Sequence, residues 1–295
     1  MPRIINFGSM NVDKVYTVSQ FVTPGETISS LEYDEFCGGK GLNQSIALSK
    51  AGSEVCHAGI VGIGGDCLIA ALSDAGVDVG LIRRAEVPSG HALIQVNASG
   101  ENCIIIYGGT NRSITEKYAD EVFAGFGKGD ILVAQNETNL LEYIINSAYE
   151  KGMVIVLNPS PIGDNINEEL LGKISYLIFN ELEGEAISGE SEPKKMLDTL
   201  HERYPDCKLL LTLGGKGSMY FDGAELIESP IFPAEVVDTT AAGDTFTGYF
   251  INCVSKSVPV KEAMRLASKA ASLAISVKGA GNSIPYMAEV VKSFA

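Results

Sequence analysis

Seven residues, Asp238-Thr239-Thr240-Ala241-Ala242-Gly243-Asp244, lead into an amphipathic pattern that begins near Thr245 and repeats Phe246, Tyr249, Phe250, Cys253 and Val254 at i, i+3, i+4, i+7, i+8. Small side chains let a backbone come close to a ligand. The unpaired N–H groups of a helix's first turn, backed by its dipole, form a ready anion site. Asp244 in that turn places a carboxylate beside the anion, where it can take a proton from an attacking hydroxyl. The pairing suggests phosphoryl transfer. In isolation an Asp at a helix start reads as a cap; the small residues before Asp244 argue for more.

A second cluster, Gly38-Gly39-Lys40-Gly41-Leu42-Asn43, opens the first long helical pattern. Its glycines allow close approach to a hydroxylated ligand, and Asn43 offers both a donor and an acceptor. Asn11 and Asp13 follow the first strand pattern, where Asp13 can hold two vicinal hydroxyls as a bidentate acceptor. Glu137 follows a later strand at the same sheet edge. Taken singly, Asn11 and Asp13 read equally as turn residues and Glu137 as a helix N-terminal charge.

Several other chemistries lose their support. Cys67 stands where a GxGxxG fingerprint needs its third glycine after Gly62 and Gly64, and Gly215-Lys216 is followed by Gly217 rather than Ser or Thr, so there is no Walker A loop. No GxSxG elbow occurs. The six cysteines form no CxxC pair, and three histidines without HExxH argue against a His-rich metal site.

The elements that must position these residues alternate. Strand patterns at 4–7, 55–60, 131–134, 154–157, 176–179 and 209–213, the last in the series, are interleaved with helical patterns at 42–51, 67–75, 140–149 and 182–187, and the last third is helical, with a second apolar-striped helix over 263–277. Such alternation predicts an α/β protein with a mostly parallel sheet covered on both faces, ligands binding at the carboxyl ends of its strands. Two segments depart from it. Residues 12–36 are extended around Pro24-Gly25, and 91–96 with 102–107 flank Ser99-Gly100 like a hairpin, so both read as a small accessory sheet placed to act as a lid.

The 295 residues carry no linker or low-complexity tract, which favours one continuous domain with insertions. A net charge of −15 argues against nucleic acid or an anionic membrane as partner and for a small molecule. With no signal-like or membrane-spanning apolar run and scattered cysteines, a cytoplasmic protein with reduced thiols is expected.

Six blocks in order, GSMNVD at 8–13, PGET at 24–27, GGKGLNQ at 38–44, GENCIIIYGGTN at 100–111, NPSP at 158–161 and DTTAAGDTF at 238–246, resemble the PfkB carbohydrate kinase family, and most of all its ribokinase branch, from about residue 4 to about residue 286. The resemblance implies a Rossmann-like three-layer α/β/α fold, one kinase domain over 1–295, and a β-sheet lid from insertions at about 12–37 and 90–108 that often forms a dimer contact. It implies an ATP-dependent sugar kinase, with D-ribose phosphorylated to ribose 5-phosphate as the leading substrate; fructose, a nucleoside or another polyol remain open, as does a non-catalytic binding protein.

Residue by residue, Asp244 matches the family's catalytic base, and Ala242 and Gly243 its anion-hole donors; Asn11, Asp13, Gly39, Lys40, Asn43 and Glu137 match sugar-site positions. Asn180 and Glu183 match the NxxE pair near magnesium and phosphates, and Thr212, Gly214 and Gly217 the nucleotide-side turn. Asp238 and Thr240, with Val277, Gly279 and Ser283 from the loop 277–283, match a monovalent cation site that takes potassium. The chain departs from the ribokinase pattern at Leu42, at Gly109-Thr110-Asn111 and at Asn136. Leu42 is expected to point silently into the core, and Asn136 to alter which sugar hydroxyls are satisfied.

Overall fold

The computed structural model describes residues 2–294. An eight-stranded sheet forms its centre. Across it the strands Val55–Ala58, Ile4–Phe7, Ile131–Gln135, Val154–Asn158, Tyr176–Asn180 and Lys208–Thr212 lie side by side and parallel. Their sequences are apolar at nearly every position because both faces are covered. Ile4, Val133, Val156, Ile178 and Leu210 point into one hydrophobic cluster, while their neighbours Ile5, Leu132, Ile155, Leu177 and Leu209 point into the other. Helices Lys40–Lys50, Ala242–Ser255 and Val260–Ala274 contribute to the first cluster; Glu116–Phe123, Leu141–Glu150 and Pro193–Arg203 contribute to the second. The three-layer α/β/α expectation is met.

Chain order reverses between Ile4–Phe7 and Ile131–Gln135, since the chain steps from the first of these to Val55–Ala58 on one side and only later to Ile131–Gln135 on the other. Crevices open at such a reversal, beyond the carboxyl ends of the strands. Residues 8–11 and 136–137 emerge there.

Beyond the helices Glu116–Phe123 and Pro193–Arg203, which the sequence reading did not contain, three details differ from it. The sheet does not end with the strand at 208–212: Ser218–Phe221 and Leu226–Ser229 continue it antiparallel, joined by a turn in which Gly223 takes φ +85°. Four-residue strands with mixed burial carry too little alternation to be read from sequence. The apolar run 55–60 is two strands broken at Gly59, whose N–H and C=O both bond the Tyr118 hydroxyl; Ile60–Ile63 then pairs with Arg83–Pro88 in a separate small sheet. The helix expected near Thr245 starts at Ala242, so Gly243 and Asp244 both lie inside its first turn.

The accessory segments form a four-stranded sheet in the order Glu32–Gly38, Asn11–Thr17, Gly90–Val96, Asn102–Tyr107. Its register sets Asp13 beside Ala92, and Ala92 beside Ile106, on one face. The strand Asn102–Tyr107 is exposed along its whole length, with Ile105 64% and Ile106 61% accessible.

Candidate active site

Two helices deliver the central carboxylate. Helix Lys40–Lys50 runs so close to helix Ala242–Ser255 that a Cβ on Gly248 would stand 2.8 Å from the Leu48 nitrogen and 2.9 Å from the Ala47 carbonyl carbon. Glycine is required by that approach. One turn earlier on each helix, the close packing brings Asn43 and Gln44 to Asp244, which is 7% exposed. The Asn43 amide donates to Asp244 Oδ2 at 3.1 Å and the Gln44 amide to Oδ1 at 2.9 Å. The helix is entered through Ala241 in the left-handed region at φ +61°, a conformation that costs a non-glycine residue of order 1 kcal/mol and is met at functional sites. A left-handed residue followed by helical ones turns successive N–H groups toward one point, an anion-binding nest. No side chain caps this helix, so Gly243 and Asp244 present first-turn donors that have no partner within it.

The sequence-predicted residues around Asn11 and Glu137 also come together. Glu137 accepts from the Ser9 hydroxyl and, at 3.0 Å, from the Lys40 backbone N–H. It is therefore tied to the glycine-rich helix entrance rather than standing as a charge on helix Leu141–Glu150. Gly39 enters helix Lys40–Lys50 at φ +95°, where a Cβ would meet the Asn11 nitrogen at 3.0 Å. Asn11 is held by Asn111, which donates to its Oδ1 at 2.8 Å while also bonding both backbone groups of Met10. Asn111 was not among the expected site residues; its GGTN context differs from the family's, which hid it. Burial lowers the affinity of Lys40 for its proton, but the Asp244, Glu137 and Glu183 carboxylates outweigh it and leave Lys40 raised.

Asp13 lies on the lid face toward this cluster, so near Gly38 that a Cβ there would collide with its carboxylate. Burial first, and the Glu137 charge second, push its carboxyl up to about 7. A group raised on folding favours the folded state below its unfolded pKa of 3.8, and that contribution is lost as pH rises toward 7. Unfolding of the sugar-free protein at pH 5 and pH 8 should therefore show Asp13→Asn gaining roughly 2 kcal/mol on the wild type at the higher pH. A pH-independent difference between the two proteins would refute the burial assigned to Asp13.

Asn136 corrects an expectation. Its amide donates to the Pro161 carbonyl at 2.6 Å and to Asn165 Oδ1 at 3.1 Å, and its own oxygen accepts from Asn165. These bonds commit both of its N–H donors and its oxygen to the loop 160–165 rather than to the sugar-side residues. Leu42 is buried in the core cluster, as expected.

A pocket of about 370 Å³ adjoins the Ala242 end of the helix, with Thr212, Gly214, Gly217, Ala242, Gly243 and Phe246 in its lining. Gly217, at φ +105°, passes so near the Ser229 carbonyl that a Cβ would overlap it. Phe232, Ser268, Ala271 and Ile275 are among the other residues of its wall. Sequence reasoning missed these four because small and apolar residues here look like core. Asn180 sits beside Thr212 in the sheet register and forms a reciprocal capping box with Glu183, each side chain bonding the other's backbone N–H. The Asn180 amide also donates to the second Glu183 oxygen at 3.0 Å.

The candidate cation loop is partly tied. Asp238 accepts from the N–H groups of Thr240 at 2.9 Å and Gly279 at 3.0 Å. Burial would raise its carboxyl, but these bonds and the Lys278 charge hold it below the usual carboxylate range. Val277 and Ser283 lie on the same loop without a hydrogen bond to Asp238, and the Ser283 hydroxyl donates to the Ala280 carbonyl at 2.8 Å. Among the described residues, no cluster of three His, Cys, Asp or Glu side chains is arranged to hold a metal ion.

Comparison with known proteins agrees with this geometry. The sequence profile of the pfkB family carbohydrate kinases matches residues 1–287. A ribokinase of Haemophilus influenzae is 32% identical over 97% of this chain and 96% of its own. The structure of ribokinase from Thermotoga maritima superposes with a TM-score of 0.91 at 32% identity, covering 100% of this chain and 99% of that one. Arabidopsis thaliana ribokinase, solved with ribose and ATP, superposes with a TM-score of 0.88 at 31% identity over 99% and 98%. With a profile match over nearly its whole length and relatives above 30% identity across it, this chain belongs to the pfkB family of carbohydrate kinases.

Proposed function

We propose that this ATP-dependent sugar kinase transfers the γ-phosphoryl group of ATP to D-ribose, giving ribose 5-phosphate. The observation that carries the reading is the pairing at helix Ala242–Ser255: a buried carboxylate held by two amides, in the first turn of an uncapped helix whose N–H groups face a pocket on one side and hydroxyl-binding side chains on the other. Similarity to a ribokinase solved with ribose and ATP supports the choice of substrates.

Asn11, Asp13, Lys40, Asn43 and Glu137, with the backbone of Gly39, orient the sugar hydroxyls. Asp244 takes the proton of the attacking hydroxyl as its oxygen bonds to the γ-phosphorus and the bond to the β-phosphate oxygen breaks; ADP leaves. The N–H groups of Gly243 and Asp244 stabilise charge on the transferring group, while Ala242, expected as a third donor, gives its N–H to the Thr239 carbonyl at 3.3 Å and closes the turn. Thr212, Gly214 and Gly217 border the nucleotide. Asn180 and Glu183 stand near its phosphates, where a hydrated magnesium ion would supply charge neutralisation; both Glu183 oxygens keep acceptor capacity beyond their bonds to Asn180. Because a protonated Asp13 accepts poorly from two hydroxyls, sugar kcat/KM should rise through pH 7.

Asp238 and Thr240, with Val277, Gly279 and Ser283 of the loop 277–283, would hold a potassium ion that orders the anion-hole loop without touching substrate. Activation by potassium over tetramethylammonium is the expected result, and indifference between them would remove the site. The chain reads as one kinase domain over 1–295 with a lid from about 12–37 and 90–108. The exposed apolar residues Leu31, Ile104 and Ile106 support a homodimer formed through that lid. Sedimentation at micromolar concentration should show it. Six free thiols favour a cytoplasmic setting; no described helix is long and apolar enough to cross a membrane.

An ATP-consumption screen over pentoses, hexoses and nucleosides, with product position assigned by NMR, tests the function. D-ribose phosphorylated at its 5-hydroxyl should give the highest kcat/KM. Preference for adenosine or fructose over every pentose would overturn it.

A further inference from the structure

We propose that Gln135 is a positioning residue for the transfer: it fixes the direction of a buried chain of side-chain amides that aims an N–H of Gln44 at the Asp244 carboxylate. The proposal rests on the role given to Asp244 above. Asn6, Gln44 and Gln135 are each fully buried, and they come from three different elements: the strands Ile4–Phe7 and Ile131–Gln135 and the helix Lys40–Lys50.

The chain has only one self-consistent direction. Asn6 donates to the Gly41 carbonyl at 2.8 Å and to the Ser45 hydroxyl at 2.9 Å. A backbone carbonyl can only accept, so the Asn6 amide nitrogen must face it and the Asn6 oxygen must face the other way, toward Gln135. Gln135 answers with its nitrogen, donating to Asn6 Oδ1 at 3.0 Å and, with its second hydrogen, to Gln44 Oε1 at 2.7 Å. Gln44 has then turned its oxygen to Gln135. What remains for Asp244 is its nitrogen, which donates to Oδ1 at 2.9 Å. One backbone carbonyl thus dictates, through three amides, that the carboxylate meets a donor. If Gln135 were reversed, its oxygen would oppose those of Asn6 and Gln44; Gln44 would have to reverse as well and set its own oxygen against the carboxylate.

Two further observations separate this from ordinary core packing. The Gln135 oxygen is buried with no hydrogen-bond partner, a state that proteins seldom tolerate in a side chain chosen for packing alone. Room for that oxygen depends on Gly8, where a Cβ would stand 2.5 Å from it. The far end is anchored too. Ser45 pairs with His57 Nδ1 at 2.8 Å, and burial pulls the His57 pKa down to about 4, so this end of the chain stays neutral across the working range.

Two variants of Gln135 test the proposal. Gln135→Met keeps the length and removes both polar atoms. Gln135→Glu keeps the shape but sets acceptors against the oxygens of Asn6 and Gln44, and since Asn6 is fixed by the Gly41 carbonyl, Gln44 is the amide that must reverse. Both should lower kcat about tenfold or more while the KM for ATP stays within twofold, with Gln135→Glu the more severe. In the Asp244→Asn background, Gln135→Met should change the residual single-turnover rate by less than twofold, because a residue acting through Asp244 has nothing left to position. Wild-type kcat in either variant, or an equal loss in both backgrounds, overturns the proposal. Should neither variant fold, Gln44→Met is measured by the same criteria. An inactive Asp244→Asn beside a normal Gln135→Met overturns this proposal alone; a fully active Asp244→Asn overturns the base assignment and the proposal with it.

Discussion

Asp244→Asn should bind ATP and sugar yet turn over ~10²–10⁴-fold more slowly, the usual cost of losing a general base. The substitution is not silent for stability. The carboxylate accepts the Asn43 amide on one oxygen and the Gln44 amide on the other, whereas an amide has a single oxygen to offer. One of two buried donors is therefore stranded, at a cost of roughly 1–3 kcal/mol. Single-turnover rates at saturating ATP and ribose, taken well below the variant's melting temperature, separate the chemical loss from the structural one. A rate within threefold of wild type would remove Asp244 from the reaction.

Gly41→Ala should be among the most damaging single substitutions in the chain. A Cβ at this position would stand 2.5 Å from the Gly8 carbonyl carbon, 2.6 Å from Gly8 Cα and closer still to the Ser9 nitrogen. All three are backbone atoms of the turn that follows strand Ile4–Phe7, so no side chain can swing aside. The helix must move off the sheet edge, and with it the bond from the Leu42 N–H to the Ser9 carbonyl, 2.9 Å. We expect a loss of roughly 3 kcal/mol or more, or failure to accumulate as folded protein, with sugar binding lost as the Ser9–Glu137–Lys40 link opens. Gly127→Ala is the control: its Cβ would meet nothing within 4 Å and its backbone needs no positive φ. Equal denaturation midpoints for Gly41→Ala and wild type would show that the turn is less rigid than this geometry requires.

The parallel part of the sheet was legible because burial on both faces writes nearly continuous apolar runs into the strands, so Ile4–Phe7 and Val154–Asn158 were found to within a residue. The hairpin of Ser218–Phe221 and Leu226–Ser229 was not, since the first strand, though buried on both faces, has only four residues and opens with a serine, and the second buries Ile227 alone. Among site residues, those that touch ligand through charge or a glycine turn, such as Asp13, Glu137 and Gly39, carry a chemical signature in the sequence. Residues that act by holding others do not. Gln44, Gln135 and Asn111 are amides that, in a linear reading, are indistinguishable from polar surface, and only the folded chain shows all three buried. Asn136 marks the opposite failure. Its place beside Glu137 in sequence suggested a shared task, but successive residues leaving a strand turn to opposite sides, and its amide ends in the loop 160–165.

The strand Asn102–Tyr107 has a consequence for handling the protein. It is an edge strand with three consecutive isoleucines, Ile104 to Ile106, exposed on both of its faces, and an unpaired outer row of backbone donors and acceptors. Whenever it is left uncovered, such an edge is a template for strand addition and fibrillar aggregation. What opposes this in solution is the net charge of −15, which keeps separate molecules apart. Acidification into the carboxylate range removes that repulsion while leaving the edge intact, and added salt screens it. Colloidal stability should therefore fail at mildly acid pH and high ionic strength before the fold itself does, with thioflavin-positive material growing from this strand.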